Sequence, residues 1–331
     1  MNRSSTLFAK HQAVTNLQEH VNRRIIGQEV LVRRLLTALL ADGHLLVEGA
    51  PGLAKTTAIK TLASGIEGDF HRIQFTPDLL PADLTGTEIF RPQDGTFSFQ
   101  QGPLFHNLIL ADEINRAPAK VQSALLEAMG ERQVTIGRTT YPLPELYLVM
   151  ATQNPIEQEG TYPLPEAQLD RFLMYVRIGY PDLEAEQKIL ELSRMEAKGI
   201  MNQALTEKKI PPLTQADLFA GRKEIFDLYL SPALEEYIIQ LVLATRNPAH
   251  YGEELVRWLQ FGASPRATIA LDRCARANAW LDNRDYVSPE DIQTIAHDVL
   301  RHRVLLTFEA EAEGITPDRF ITELLARVPV P

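Results

Sequence analysis

The sequence contains a single cysteine, and this excludes a fold held together by internal disulfides. Cys274 is the only cysteine among 331 residues, which is typical of proteins in a reducing compartment. The N-terminus also lacks the apolar core of a secretory signal, so we expect a cytoplasmic location. Cys274 lies in a stretch with helical character, where we expect it to pack as a small hydrophobic side chain.

Long apolar runs and an excess of positive charge are also absent. No stretch approaches the ~18 apolar residues that a membrane-spanning helix needs, so we expect no membrane association. The formal net charge of -10 argues against nucleic acid as a partner, because contacts with phosphates need clustered Lys and Arg. The eight histidines are scattered without zinc-site spacing, and we predict no structural metal.

The first half of the chain contains a regular alternation of apolar runs and helical segments. Helical spacing covers residues 11–40, with a break at Gly27. Short apolar runs follow at 45–48, 71–75, 108–111, 147–151 and 173–178. Helices are predicted at 56–64 and 120–129. Apolar runs separated in this way indicate a parallel sheet that helices cover on both faces.

The second half of the chain has a different pattern, because the strand signals stop after Tyr180-Pro181-Asp182. Helical patterns cover 184–197, 232–245, 264–281 and 289–306. Ser288 before Pro289 is predicted to be an N-cap, with proline at the first helical position. We therefore predict two domains, an α/β domain over residues 1–183 and a smaller all-helical domain over residues 184–331.

Residues 49–56, Gly-Ala-Pro-Gly-Leu-Ala-Lys-Thr, have the pattern of a phosphate-binding loop. They match Gly-x-x-x-x-Gly-Lys-[Ser/Thr] except at the sixth position, where Ala54 replaces glycine. The loop's backbone N–H groups and the following helix N-terminus should cradle phosphates. Lys55 is expected to contact the β- and γ-phosphates, and Thr56 to ligate Mg²⁺. Because glycine is the usual residue at positive φ, Ala54 predicts a right-handed conformation there.

Polar residues follow two later apolar runs. Asp112 ends the run 108–111 and is suited to hold Mg²⁺. Glu113 should point to the opposite side of that strand's end, as a general base or water-positioning group. Asn154 follows the run 147–151 and is predicted to orient the attacking water or touch the γ-phosphate; Gln153 is the alternative. Together with the phosphate loop, these groups predict nucleoside triphosphate hydrolysis.

Two arginines are candidates for contacts with the γ-phosphate. Arg171 precedes the last predicted strand, from which it can reach the nucleotide of a neighbouring subunit. A salt bridge to Asp170 or another acidic residue is the alternative. Arg266 lies in the first turn of a predicted helix, where the helix dipole disfavours a cation. An anionic partner would offset this, and the alternative is an ordinary surface arginine.

In this order the motifs resemble the AAA+ superfamily, and their residues resemble its MoxR family, in which alanine is usual at the place of Ala54. The resemblance runs from Ile25 to about residue 306. It is carried by the segments Gly49–Thr56, Ala111–Ala117, Ala124–Met129, Ala151–Pro155, Leu164–Phe172 and Gly262–Ala267. It implies an α/β fold, a P-loop NTPase αβα sandwich with a five-stranded parallel sheet followed by a smaller all-helical lid domain.

The resemblance also implies ATP and Mg²⁺ as cofactors and gives each candidate residue a role. The catalytic residues it implies are Glu113, Asn154 as sensor 1, Arg171 as arginine finger and Arg266 as sensor 2. Mg²⁺ is assigned to Thr56 and Asp112, and Ile26-Gly27-Gln28 resembles the segment that packs on adenine. The nucleotide-binding residues are Gly27, Gly49, Ala50, Pro51, Gly52, Leu53, Ala54, Lys55, Thr56 and Thr57.

The function that the resemblance implies is a chaperone-like ATPase that assembles into a homo-oligomer, six subunits being the family habit. It would remodel or mature protein complexes with a partner that carries a von Willebrand factor A domain; the sequence does not name the client. Residues 77–103, similar to the family's helix-2 insert, and residues 131–147, which alternate like a hairpin, are expected to contact the client or to be plain surface decoration.

Three other functions stay open at this level. One is a chelatase-type subunit that couples ATP hydrolysis to metal insertion. Another is a nucleotide-dependent scaffold with negligible turnover, which the full set of catalytic groups disfavours. The last is a DNA motor, which the net charge of -10 disfavours.

Overall fold

The structure is a computed structural model that describes residues 3–93, 95–156, 160–198 and 211–331. Of the helices in these ranges, none combines the length and the apolar character that crossing a membrane requires. The chain divides into two compact units. The first comprises Met1–Leu36, Leu46–Pro163 and Val176–Phe219, and the second comprises Thr37–Leu45, Leu164–Tyr175 and Ala220–Pro331.

The helices and strands are numbered in chain order. The helices are α1 Arg3–Asn22, α2 Glu29–Leu40, α3 Lys55–Ser64, α4 Pro81–Thr85, α5 Ala119–Glu131, α6 Glu166–Leu169, α7 Leu183–Ala197, α8 Gln215–Phe226, α9 Pro232–Ala244, α10 Glu253–Trp258, α11 Pro265–Leu281, α12 Pro289–Leu300, α13 Phe308–Ala312 and α14 Pro317–Arg327. The strands are β1 Leu45–Glu48, β2 Phe70–Gln74, β3 Gly86–Arg91, β4 Thr96–Gln101, β5 Leu108–Asp112, β6 Gln133–Ile136, β7 Thr139–Pro142, β8 Leu148–Gln153, β9 Met174–Arg177, β10 Leu259–Phe261 and β11 Leu305–Leu306.

A five-stranded parallel sheet with the order β2-β5-β8-β1-β9 confirms the predicted fold class. Strand β5 is buried along its whole length, because helices cover both faces of the sheet. The chain passes from β1 to the edge strand β2, and later from β8 to β9 on the other side of β1. In open α/β sheets the carboxyl end of a strand at such a reversal is where ligands bind.

Two β-hairpins extend from the first unit. Strands β3 and β4 pair in one, and β6 and β7 pair in the other, which confirms the hairpin predicted within 131–147. The hairpins are joined by stacked rings, since the centroids of Phe99 and Tyr141 lie 4.2 Å apart. Phe90 and Phe97 face solvent on the first hairpin. The hairpins therefore form one aromatic-linked module.

The second unit has a core of helices, in which α11 packs closely against α9 and α12. Cys274 on α11 is fully buried, as expected of a packing residue. Helix α12 begins after Ser288, whose backbone N–H donates to the Asp291 carboxylate (2.8 Å). A short antiparallel pair of strands, β10 and β11, accompanies these helices.

The helix predicted over 289–306 is too long, because α12 ends at Leu300. The side chains of Arg301, His302 and Arg303 donate to backbone carbonyls of the segment 170–175 instead. These contacts draw the chain out of its helical path, and residues 305–306 pair as β11. The apolar pattern continues to residue 306, but hydrogen bonds to a segment distant in sequence end the helix at Leu300.

His302 is the buried titratable group in this turn. Its ring lies at a distance of 3.1 Å, from Nε2 to the carbonyl oxygen of Phe172, so Nε2 carries the proton and donates. Burial, reinforced by the charges of Arg303 and Arg301, lowers the pKa of His302 well below its ordinary value of 6.5, and the bond to Phe172 opposes the shift. The folded protein thus holds this imidazole neutral.

We expect His302→Gln to weaken the acid sensitivity of the fold. As pH falls through 6.5, the unfolded chain binds a proton at this histidine before the folded protein does. The free energy of unfolding therefore decreases as the pH is lowered, by at most about 1.4 kcal/mol per pH unit for one group. Chemical denaturation between pH 7.5 and pH 5, run on wild type and variant, measures the difference.

The exposed His250 provides the control, because a change in slope that His302→Gln causes and His250→Gln does not cause belongs to the buried ring. Equal slopes for wild type and His302→Gln would show that the buried ring does not resist protonation.

Candidate functional site

A cavity of about 320 Å³ lies at the carboxyl ends of β1, β5 and β8 in the first unit. Three segments that are far apart in sequence line it: residues 51–57, Asp112 with Glu113, and residues 152–154. The structure thus brings together the phosphate loop, the acidic pair and both amide candidates.

The loop that begins at Gly49 depends on backbone shapes that glycine allows. A Cβ at Gly49 would lie 2.4 Å from Cγ1 of Ile178, so the loop can pack there only without a side chain. Gly52 has a φ of +83°, and no atom lies within 4 Å of where its Cβ would stand. The loop therefore borders open space at Gly52, as a cradle for a ligand requires.

Ala54 adopts the left-handed conformation, with φ 56° and ψ 18°, so the right-handed conformation predicted for it is wrong. It is the residue that caps α3, and the turn into that helix imposes the geometry that glycine usually supplies. For an L-residue the left-handed region costs roughly 1–2 kcal/mol. Alanine has the smallest side chain that carries a Cβ, and the loop tolerates it at this cost.

Lys55 begins α3, with its ammonium group against the loop. Its Nζ donates to the carbonyl oxygens of Gly49 and Ala50, the latter at 2.9 Å. Burial lowers the pKa of Lys55 from its ordinary value, while the carboxylates of Asp112 and Glu113 oppose the shift. A partly desolvated cation of this kind interacts more strongly with an anion than one in bulk water.

The Asp112 carboxylate is bound from both sides. Thr152 Oγ1 donates to its Oδ1 at 2.6 Å. Arg72 donates to its Oδ2 from Nη2 at 2.7 Å and from Nε at 3.1 Å. Sequence reasoning missed both partners. Arg72 lies in the run 71–75, so its place on a strand could be predicted, but the pairing of that strand with β5 could not.

Glu113 lies beyond the strand, in a left-handed conformation with φ 58° and ψ 50°. The alternation argument used to orient it does not apply, because β5 ends at Asp112. Its backbone N–H donates to Thr152 Oγ1 (2.9 Å), and Gln74 Nε2 donates to its Oε2 (2.7 Å). Arg116 Nη1 lies 3.3 Å from the same oxygen. The carboxylate is thus held at the cavity by side chains.

Asn154 and Gln153 both line the cavity, so both candidates for the amide remain. Asn154 is buried, and its Oδ1 accepts from the backbone N–H of Ile156 (3.1 Å). This bond is the ordinary turn expected before proline. The turn therefore orients the amide at the cavity, and the two interpretations of this residue are compatible.

Gly27 is not among the residues that line the cavity. Its φ is +73°, and a Cβ there would lie 2.7 Å from Cβ of Ala185. The next residue, Gln28, donates from Nε2 to the carbonyl oxygen of Gly179 (2.9 Å). Gly179 follows Ile178, on which Gly49 packs. The segment is therefore linked to the support of the phosphate loop.

Arg171 and Arg266 belong to the second unit and are described within it. Arg171 is half-buried in the turn between α6 and β9. Arg266 is 55% exposed in the first turn of α11, with Nη1 at 3.7 Å from Asp170 Oδ2. An anionic partner for Arg266 thus exists within the chain. Asp170 also accepts from Ser264 and Arg303, at 2.8 Å each.

The left-handed shape of Ala54 generates a test by substitution. Ala54→Gly removes a strain of roughly 1–2 kcal/mol but adds about 0.4–1 kcal/mol of chain entropy to the unfolded state. We expect the free energy of unfolding to stay within about 1 kcal/mol of wild type. Ala54→Val should destabilise the fold more, because a β-branched residue is a genuine outlier at positive φ. Urea denaturation measures both.

Ala58→Gly is the matched control, since Ala58 is fully buried inside the right-handed helix α3. Glycine there should cost about 1 kcal/mol from helix propensity alone. A loss at Ala54→Gly as large as at Ala58→Gly would contradict the left-handed assignment.

Two segments of the chain match known protein families. Residues 44–174, which contain the cavity residues, match the "ATPase family associated with various cellular activities (AAA)". Residues 257–324 match the "AAA lid domain". The matched ranges fall on the sheet with its phosphate loop and on the helices α11 to α14.

Full-length relatives extend this similarity. The chain is 47% identical to "Chaperone MoxR1" of Mycobacterium tuberculosis over 94% of its own length and 80% of that protein. It is 33% identical to "Protein MoxR" of Paracoccus denitrificans over 97% of each chain. A crystal structure of a presumed ATPase from Cytophaga hutchinsonii has 47% identity, a TM-score of 0.87 and coverage of 99% of this chain and 98% of that one. On these similarities the protein belongs to the MoxR family of chaperone-like AAA+ ATPases.

Proposed function

We propose that this protein binds ATP with Mg²⁺ in the cavity at the phosphate loop, hydrolyses it, and uses the energy to remodel or mature protein complexes. The observation that carries the proposal is the meeting of Lys55 with Asp112 and Glu113 in one cavity. A cation suited to phosphate and two carboxylates are the groups that phosphoryl transfer to water requires. Family membership supports nucleotide binding as a shared trait.

The residues present fit this cofactor. The cavity of about 320 Å³ falls in the usual range for ligand pockets, and Gly52 leaves the loop open beside it. Thr56 and Asp112 offer the oxygen ligands that Mg²⁺ prefers. When bound, Mg²⁺ neutralises phosphate charge, and ATP supplies the phosphoryl group that is transferred. Gly49, Ala50, Pro51, Leu53, Ala54 and Thr57 complete the proposed cradle, and Gly27 is the proposed neighbour of the base.

Each chemical role follows from a contact already described. Lys55 exchanges its bonds to the loop carbonyls for bonds to phosphate oxygens. Glu113 accepts a proton from the attacking water, and Gln74 with Thr152 keeps its carboxylate and backbone in place. Asn154 donates an amide hydrogen bond to the same water or to the γ-phosphate, with Gln153 as the alternative.

We further propose that the subunits form a homo-oligomeric ring, with six as the expected number. Arg171 then acts on the nucleotide of the neighbouring subunit, and Arg266 is the proposed sensor 2 arginine. A protein with a von Willebrand factor A domain is the proposed partner, and the client is a protein assembly. The word "Chaperone" in the name of the Mycobacterium tuberculosis relative supports this role. The domain boundary near residue 183 stays a prediction.

Lys55→Ala and Glu113→Gln separate binding from hydrolysis. We expect Lys55→Ala to lower ATP affinity by at least tenfold, because the loop loses its phosphate-matched charge. Glu113→Gln should bind ATP with near wild-type affinity but hydrolyse it at least about a hundredfold more slowly, as general-base removal typically does. Calorimetry measures the affinity, and phosphate release with Mg²⁺ measures the rate.

Lys60→Ala and Glu127→Gln are the matched controls, because both residues are exposed on helices near the same loop and strand. Both should behave as wild type. A wild-type protein that binds ATP without releasing phosphate would replace the proposal with the nucleotide-dependent scaffold.

The action of Arg171 across subunits is tested by mixing two inactive variants. Arg171→Ala keeps its own Lys55 and Glu113, while Glu113→Gln keeps Arg171. In a mixed ring, some sites receive both intact groups, so hydrolysis should return to a substantial fraction of wild type. A missing finger lowers the rate by roughly 10³-fold or more in related phosphoryl transfer. Phosphate release against mixing ratio measures the recovery.

The mixture of Lys55→Ala with Glu113→Gln is the negative control, because both residues serve the same subunit and no site regains both. Light scattering must show that each pair of variants assembles together. Assembled mixtures of Arg171→Ala and Glu113→Gln that stay inactive would contradict action across the interface.

A further inference from the structure

Three consecutive residues after α12 bind the backbone of the segment that carries Arg171. Arg303 donates to the carbonyl oxygens of Phe172 (2.7 Å) and Leu173 (3.2 Å). His302 and Arg301 donate to those of Phe172 and Tyr175. We name residues 301–303 the basic strap. It holds the backbone on the C-terminal side of Arg171.

Asp170 holds the other side of Arg171 and joins two distant elements. Its Oδ1 accepts from Arg303 Nε at 2.8 Å, and its Oδ2 accepts from Ser264 Oγ at 2.8 Å. Ser264 caps α11, and its Oγ accepts from the backbone N–H of Arg266 (3.1 Å). The carboxylate of Asp170, the neighbour of Arg171 in sequence, therefore connects the basic strap with the start of helix α11, which carries Arg266.

Arg303 is a costly residue to use for packing alone. Its side chain is 2% exposed, and burial lowers its pKa although the Asp170 carboxylate opposes this shift. A buried ion is stabilising only when its geometry is excellent and its donors are all used. The planar guanidinium meets this demand with acceptors on Asp170, Phe172, Leu173 and Val299. An ammonium group has no such fork, so the site is specific for arginine.

The contact between Asp170 and Arg266 differs from the contact with Arg303. Arg266 lies at 3.7 Å and is 55% exposed, against 2.8 Å and 2% for Arg303. Exposed ion pairs of that length are weak. A phosphate group can therefore attract Arg266 away from Asp170, while Arg303 keeps its hold. The carboxylate is thus shared between one fixed and one exchangeable partner.

We propose that Arg303 and Asp170 are positioning residues that hold the backbone on both sides of Arg171, so that Arg171 can act on the nucleotide of the neighbouring subunit. The inference rests on the proposed function, in which Arg171 contacts the nucleotide of the adjacent subunit. Arg303 and Ser264 both donate to the Asp170 carboxylate, and these two bonds keep the segment of Arg171 in one place.

Mixed rings test the proposal, because they place a second substitution in a chosen subunit. In rings of Arg171→Ala with Glu113→Gln, the Glu113→Gln subunit donates the finger and the Arg171→Ala subunit hydrolyses ATP. Arg303→Lys in the finger-donating subunit should lower the restored rate at least about tenfold, a part of the full value of a finger. The same substitution in the hydrolysing subunit should change it less than about threefold, since that subunit's finger is already absent.

Asp170→Asn is the second variant and should also lower the restored rate more in the finger-donating placement, because it removes the carboxylate that fixes Arg303 beside Arg171. Arg284→Lys is the matched control. Arg284 also forms a short ion pair in the second unit, at 2.5 Å from Asp291. Its side-chain hydrogen-bond partners in the described part of the chain are Asp282, Asp291 and Tyr286, which lie outside the segment of Arg171. Its substitution should give no difference between the two placements.

The outcomes separate the two proposals. A larger loss in the finger-donating placement for Arg303→Lys supports the positioning role, because simple destabilisation would act equally in both. Equal losses, or no losses, with Arg303→Lys and Asp170→Asn in co-assembled rings would overturn the inference while wild-type hydrolysis stands. A wild-type protein without ATP hydrolysis would overturn the proposed function, and the inference with it.

Discussion

The parallel alignment of β1, β5 and β8 is the constraint on which the candidate site depends. Parallel strands end at the same edge of a sheet, so residues that follow them meet although they are far apart in sequence. The loop after β1 brings Lys55, the end of β5 brings Asp112, and the end of β8 brings Thr152. The burial of these strands fixes their register, and the register fixes the site.

Within that frame, hydrogen bonds hold the charged groups more closely than the sheet alone could. The Thr152 hydroxyl donates to the Asp112 carboxylate and accepts from the Glu113 backbone, so one side chain sets the spacing of both acids. Arg72 and Gln74 approach the same two carboxylates from β2. Charged side chains in a half-buried cavity interact strongly with one another. These hydrogen bonds keep the two carboxylates in one arrangement.

The positions of the strands along the chain, the phosphate loop and the acidic pair could be predicted because each depends on local pattern. Apolar runs report burial, and Lys55 follows a recognisable loop. The conformations of Ala54 and Glu113 could not be predicted in this way, since both are left-handed where the sequence shows no glycine. Their geometry follows from how the chain must turn into the next helix, which residue type alone does not report.

Contacts between residues far apart in sequence were the other feature that could not be predicted. Nothing near Arg303 in sequence indicates that it binds the backbone of residues 170–173, and the helix predicted to continue through it ends at Leu300. Hydrogen bonds of this kind compete with helix continuation only in the folded chain. The proposed role of Arg171 depends on a neighbouring subunit, which a single sequence does not describe.

The stacked rings of Phe99 and Tyr141 have a mechanical consequence. The hairpin β3–β4 leads directly through residues 102–107 into β5, and the hairpin β6–β7 leads through residues 143–147 into β8. A force on either hairpin is shared with the other through the rings and reaches both strands. Those strands end at Asp112 and next to Asn154, so tension applied at the hairpins acts on the spacing of the groups proposed to hold and split the nucleotide.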